Sequence, residues 1–257
     1  SSDVCSSDLK MVVMVDNLIA AYRESISGLE WMGEETRARA LEKLAKFRPK
    51  IGYPDKWKDY SDLEVKADDF VGNIRRARRW SHYDNVSKLG QPIDRDEWLM
   101  APQQVNAYYY ASNNEIVFPA AYLQPPNFIP EADDAYNYGA VGSTIGHEIG
   151  HGFDDQGSKY DGDGNLNSWW TDEDRASFEE RTRGLVDQFN RIEVLPDLFI
   201  NGELTLGENI GDLGGTAIAL KAYRMSLAGE EGPVIDGFSA EERFFIANAQ
   251  SSRVKWR

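Results

Sequence analysis

The apolar positions of this chain change their spacing several times, and each change marks an element. From Lys10 they recur at three- and four-residue steps. This puts Leu18, Ile19, Tyr22 and Ile26 on one face of a predicted helix. Glu34 to Phe47 repeats the pattern, with Ala38, Leu41, Leu44 and Ala45 as the expected buried face. Pro49 and Gly52-Tyr53-Pro54 stop it. Asp69 to Tyr83 predicts a third helix carrying Arg75, Arg76, Arg78 and Arg79. That cluster reads as a solvated face pairing with local acids rather than as an anion site.

After the Gly90-Gln91-Pro92 loop the period shortens. Val105 to Tyr110 and Glu115 to Phe118 are rich in β-branched and aromatic residues and flank Ser112-Asn113-Asn114. They predict two short strands joined by a turn. Asn137 to Phe153 returns to a helical pattern despite Gly139, Gly142, Gly146 and Gly150. Each glycine costs up to about 1 kcal/mol in a helix interior, so packing or a ligand must hold this helix. Asp161 to Asn165 is a Gly/Asp turn. Thr171 to Phe189 is a helix with Thr171 as N-cap and Asp174 as its acidic partner. Thr205 to Leu227 and Glu241 to Trp256 are two more. The expected class is mainly α with a small β-sheet, α+β.

Composition narrows the functions. The 257 residues can bury a core, and the net charge of -15 argues against nucleic acid as a partner. No apolar run approaches the roughly 20 residues that span a bilayer, so the chain reads as soluble without a transmembrane segment. Cys5 is the single cysteine, so no internal disulfide is possible. It sits in Ser1 to Leu9, an adapter-like stretch with no apolar period, which is set aside from the fold.

His147-Glu148-Ile149-Gly150-His151 carries the chemistry. On a helix, residues four apart share a face, and two imidazoles there can bind one Zn²⁺. Glu148 lies beside them and can reach a water rather than the metal. A metzincin would need a glycine three residues after His151 and a histidine six after it. Asp154 and Gly157 stand there instead. His82 is the one remaining histidine and reads as a surface residue, so a carboxylate is needed as third ligand. Glu208 and Asp212, again four apart, supply candidates. Glu208 can ligate, and Asp212 can accept the second ring N–H of a zinc histidine. Asp154 is a second candidate for that orienting role. Leu206, Ile210, Leu213 and Gly214-Gly215 around the pair predict that it is not exposed.

These motifs resemble the neprilysin-like (M13) zinc metallopeptidases. The resemblance rests on five segments: Asn106-Ala107-Tyr108-Tyr109, Asn114 to Ala120, Leu123-Gln124-Pro125-Pro126, Gly146 to Asp154, and Leu206 to Asp212. Trp31-Met32 and Ile51 to Asp55 also match, so it covers Lys10 to the end. The resemblance implies a thermolysin-like zincin catalytic lobe with one zinc per chain, held by His147, His151 and Glu208. It implies Glu148 as general base and Asp154 and Asp212 as partners behind the ligands. It implies that Asn106 and Ala107 anchor an oligopeptide substrate beside an edge strand formed by Asn114 to Phe118. An exported or membrane-tethered enzyme is implied as well. The expected organisation is the adapter-like segment 1–9, a helical segment 10–98 leading from a capping lobe, and a catalytic lobe 99–257.

In that chemistry zinc polarises water and carbonyl, and Glu148 moves a proton from the water to the leaving amine. The family adds a downstream histidine and arginine for the oxyanion. No histidine follows His151 here, so an internal fragment that binds zinc but cleaves poorly is expected. Losing one oxyanion donor typically costs about 10²–10³ in rate. Ser251-Ser252 and Asn127 stand where bulky apolar residues are expected to border the pocket after the cleaved bond, which puts a large apolar preference in doubt. Two alternatives compete. One is a zinc-bound, inactive peptide-binding protein. The other is a calcium module on Asp161, Asp163 and Asn165, although Leu166 and Asp172 break the calcium-loop pattern.

Overall fold

The computed structural model describes residues 2–253, with side chains from Leu9 onward. The chain divides into two compact units, Ser1–Tyr53 with Ala101–Arg257, and Pro54–Met100.

In the larger unit, α1 (Ser2–Ser27) presents Leu18, Tyr22 and Ile26 to the core as expected, together with Met11, Met14 and Val15. The helix already runs through most of the stretch set aside as adapter-like. Most of that stretch, Cys5 included, has side chains outside the described residues.

Helix α2 (Glu34–Ala45) turns a different face inward than its apolar pattern predicts. Ala38 and Ala45 are exposed, and Thr36, Ala40, Lys43 and Leu44 are buried. The reason is polar. Thr36 Oγ1 donates to the Asp174 carboxylate at 2.5 Å, and Lys43 Nζ donates to two loop carbonyls, so both side chains are satisfied inside. The Asp174 carboxylate also accepts from the Gly33 amide at 2.8 Å and from Thr171 Oγ1 at 2.7 Å.

Strand β1 (Arg48–Gly52) was not predicted, because Pro49 and Gly52 read as breakers. It pairs in parallel with β3 (Glu115–Pro119), which pairs antiparallel with β2 (Tyr108–Tyr110). The order β1-β3-β2 makes β3 the central strand, and all five of its residues are buried. The expected edge strand Asn114 to Phe118 is therefore corrected: β1 and β2 are the edges. Pro49 is tolerated because an edge strand leaves one row of N–H groups unpaired.

The glycine-rich helix is α4 (Asp134–Asn137), a π-helical turn (Tyr138–Gly142) and α5 (Ser143–Gly150) in succession. Its glycines are contact points. A Cβ on Gly139 would lie 2.1 Å from the Phe244 carbonyl of α8 (Ala240–Ser251). One on Gly146 would lie 2.6 Å from the Gly215 carbonyl of α7 (Leu206–Ser226). One on Gly215 would lie 2.4 Å from the His147 amide nitrogen. Backbone thus meets backbone where α5 crosses α7, and packing outweighs the helix penalty of glycine.

Helix α6 (Asp172–Phe189) is capped by Thr171 as predicted, its side chain accepting from the Asp174 amide. A short hairpin, β4 (Glu193–Leu195) and β5 (Leu198–Phe199), follows it. Helix α8 carries a full capping box between Ser239 and Glu242. It ends at Ser251 with Ser252 as C-cap, short of the expected run to Trp256, whose last three residues lie outside the described ones.

The second unit centres on α3 (Phe70–Ser87), capped by Asp69, and this helix has no buried residue. Arg76 pairs with Asp69 at 3.1 Å and Arg79 lies over the Tyr83 ring. Tyr60 and Trp80 rings meet at 4.9 Å. His82 is exposed here. Among the described residues, no helix is long and apolar enough to cross a membrane.

Candidate metal centre

Helix α5 and its C-cap present His147 and His151 one turn apart, with ring centroids 4.5 Å from each other and planes at 88°. Helix α7 enters against them through Gly211 and Gly215 and brings up Glu208 and Asp212. Glu208 Oε2 lies 3.3 Å from His147 Nε2, and Glu208 Oε1 lies 3.8 Å from His151 Nε2. One ligand atom from each of the three residues falls within 4.8 Å of the others. Two imidazoles and one carboxylate converging in this way suit a tetrahedral site with one open position.

The far ring nitrogens are fixed from behind. His147 Nδ1 bonds Asp212 Oδ1 at 2.9 Å, and His151 Nδ1 bonds Asp154 Oδ2 at 2.8 Å. This points both Nε2 atoms at Glu208. Burial opposes protonation of each imidazole, but the Asp212 or Asp154 hydrogen bond and the nearby Glu148 charge outweigh it. Both therefore rise above the ordinary histidine value.

The two outer carboxylates differ. Asp154 is 4% exposed, and its Oδ1 accepts from the Gln156 and Gly157 amides at 2.8 and 2.7 Å. Glu208 and Asp212 have side chains 68% and 79% exposed, which corrects the expectation that their apolar neighbours shield them. Leu213 is itself 66% exposed. Helix α7 buries its glycine side against α5, and Glu208 and Asp212, each one residue past a glycine of that side and so about 100° round the helix, flank the contact, where they reach the histidines yet face solvent.

Glu148 is buried, and burial raises its carboxyl above the ordinary value, against the lowering pull of His147 and His151. The Tyr109 backbone bonds its carboxylate. With His147 it lines a cavity of about 370 Å³ that also takes in Asn106, Thr144, Asn248, Ser251 and Ser252. Asn106 is therefore at the site, its Oδ1 accepting from the Ala107 amide at 2.9 Å, while Ala107 is buried. Ser251 and Ser252 line this cavity, and Asn127 is not among its lining residues. Asn127 donates to the Tyr122 carbonyl at 3.3 Å.

The calcium-loop residues are otherwise engaged. Asp161 Oδ1 accepts from the Asp163 and Asn165 amides, and Asp163 pairs with Lys46 at 2.9 Å. They form the tight turn that the spacing predicts.

A model of peptidase family M13 matches residues 106–257, and a second model of that family matches residues 6–54. The chain belongs to peptidase family M13. This M13 chain is 38% identical to neprilysin of Homo sapiens over 255 residues, 92% of the chain and 34% of that protein. It is 40% identical to an endothelin-converting enzyme homolog of Locusta migratoria over 217 residues, 82% of the chain and 30% of that protein. The chain thus spans 30% and 34% of the length of these two relatives. Its fold matches the crystal structure of Mycobacterium tuberculosis zinc metalloprotease ZMP1 with an inhibitor. The TM-score is 0.92 at 55% identity, over 95% of the chain and 38% of that one.

Two M13 site features escaped sequence reasoning. The Tyr109 backbone contact to Glu148 involves no distinctive side chain, so no residue type announces it. Lys43, beneath the Asp154 loop, read as one more charge on an amphipathic helix.

Proposed function

We propose that this chain carries the catalytic metal centre of a zinc-dependent endopeptidase that hydrolyses peptide bonds in oligopeptides. The observation that carries the reading is the convergence of His147, His151 and Glu208 beside a buried Glu148, with both far ring nitrogens anchored. Membership of family M13 supports it. His147, His151 and Glu208 would hold one zinc ion, which when bound supplies a Lewis acid for water and the scissile carbonyl.

The remaining work falls to the chain. Glu148 is placed to take a proton from the attacking water and hand it to the leaving amine. Burial suits it to both tasks, because a carboxyl with a raised value holds a proton more readily than a solvated one. Asp212 and Asp154 keep both imidazoles in the tautomer that offers Nε2. Strand β2 is a sheet edge, and Asn106 just before it lines the cavity, which supports a substrate lying extended along that edge. Asn106 and Ala107 are the proposed backbone anchors.

The test compares the full-length protein with its Glu148→Gln variant in zinc content and in cleavage of a quenched fluorescent peptide. The variant is expected to keep its zinc and lose cleavage by at least about 10²-fold, the lower range for removing an acid–base group. Equal cleavage by both would refute the assignment. Zinc binding without cleavage in the wild type would favour a peptide-binding role instead.

A further inference from the structure

Lys43 is among the largest of the fully buried side chains described, at 1% exposure. Its Nζ donates to the carbonyls of Gly157 and Tyr160, each at 2.7 Å. The rings of Tyr109, Phe153 and Trp169 surround it, with centroids 5.9, 5.7 and 6.0 Å away. Its own carbonyl accepts from Asn114 Nδ2 at 3.0 Å, which ties this turn of α2 to the end of the β2–β3 turn. Burying an amine is expensive unless its donors are satisfied, and a methionine would fill the same volume without that penalty. The residue type therefore points to what the amine holds.

What it holds is the loop behind the metal centre. Gly157, whose carbonyl Lys43 grips, gives its amide to Asp154 Oδ1 at 2.7 Å. The other oxygen of Asp154 bonds His151 Nδ1 at 2.8 Å. The loop closes so tightly that a Cβ on Gly157 would lie 1.7 Å from the His151 carbonyl. Trp169 Nε1 donates to the Tyr160 carbonyl as well, at 2.9 Å, so the far end of the loop is pinned by the same cluster. The Tyr109 ring covers Lys43 while its backbone bonds Glu148. One amine thus underlies contacts to both the histidine and the carboxylate of the site.

We propose that Lys43 is a positioning residue for the metal centre: by holding the Gly157 and Tyr160 carbonyls it fixes the 154–160 loop, and through Asp154 the ring of His151. The inference rests on the zinc reading above. The role requires two N–H donors at the reach of Nζ, which methionine lacks and the shorter glutamine cannot bring to both carbonyls.

The test is zinc affinity by chelator competition in the full chain, for Lys43→Met, Lys43→Gln, Asp154→Asn and the double variants. Circular dichroism of the metal-free forms first shows which variants fold. A folded Lys43→Met or Lys43→Gln chain is expected to bind zinc about 10–100-fold more weakly, the range for losing a partner behind a ligand. Combined with Asp154→Asn, the losses should be markedly less than multiplicative, because both act through one hydrogen-bonded path. The cobalt-substituted chain should show a shifted visible band, which reports ligand geometry rather than fold. Wild-type affinity in a folded variant, or fully multiplicative losses, would overturn the proposal. So would failure of both variants to fold, since Lys43 would then be a core residue only. Failure of the wild-type chain to bind zinc would instead defeat the metal reading itself, and this inference with it.

Discussion

Asp154 and Asp212 each hold one histidine ring, yet from very different surroundings. Asp154 is buried and bound by two amides, whereas the Asp212 side chain is 79% exposed. Water competes with the exposed bond and screens its charge, so the two should not contribute equally. Asp154→Asn is expected to weaken zinc binding near the upper end of about 10–100-fold and Asp212→Asn near the lower end, measured by chelator competition. The reverse order would show that burial does not govern this pair. Lys43 offers a pH test at the same scale. Burial lowers its amine from 10.5 to about 7, against the raising pull of Asp154 and Asp161. Between those values the unfolded chain holds a proton that the folded chain has released, so raising the pH favours folding. Wild-type stability should therefore rise relative to Lys43→Met from about pH 7 towards pH 10, in urea titrations. A difference that stays flat across this window would mean that Lys43 keeps its charge inside.

The crossing of α5 and α7 is the element that makes the site. It brings the histidines of one helix to the acids of the other because Gly146 and Gly215 let the backbones touch and Gly211 leaves room for the His147 ring. Gly215→Ala would place a methyl carbon 2.4 Å from the His147 amide nitrogen, which only a shift of the helices can relieve. The expected loss is about 1–3 kcal/mol in chemical denaturation, with weaker zinc binding because Glu208 moves with α7. Gly214→Ala is the control, since nothing lies within 4 Å of its added carbon and a helix prefers alanine. The strands matter for a different reason. With β3 in the centre, β2 is left as an edge, and β2 is the strand whose Tyr109 backbone reaches Glu148.

At the scale of the whole molecule, the larger unit draws its proposed metal ligands from α5 with its C-cap and from α7, elements far apart in sequence. A ligand that binds only the folded state stabilises it, by about 2.7 kcal/mol at a hundred times its Kd. Stripping zinc with a chelator should therefore lower the melting temperature, and adding zinc back should restore it. The Pro54–Met100 unit holds none of these ligands, and its helix α3 buries no residue. Limited trypsin digestion should cut first around Arg75, Arg78 and Arg79, with or without zinc, because regions with few buried contacts open most easily. First cuts within α5 or α7 of the zinc-loaded chain would contradict this.

The sequence alone determined the two pairs of candidate site residues. His147 with His151, and Glu208 with Asp212, are four residues apart, and helix geometry puts such pairs on one face wherever the helix lies. The mainly helical class, the two strands β2 and β3, and the Thr171 cap were readable for the same reason, since periodicity and capping are local. Only the tertiary structure decided the rest. Arg48 to Gly52 became a strand because it found β3, more than sixty residues away, and no local pattern encodes that partner. Lys43 went inside because carbonyls at Gly157 and Tyr160 met its amine. Glu208 and Asp212 stayed exposed because the glycine side of α7 was the one that packed. Burial and strand order depend on which distant surfaces meet, and spacing along one segment carries no record of that.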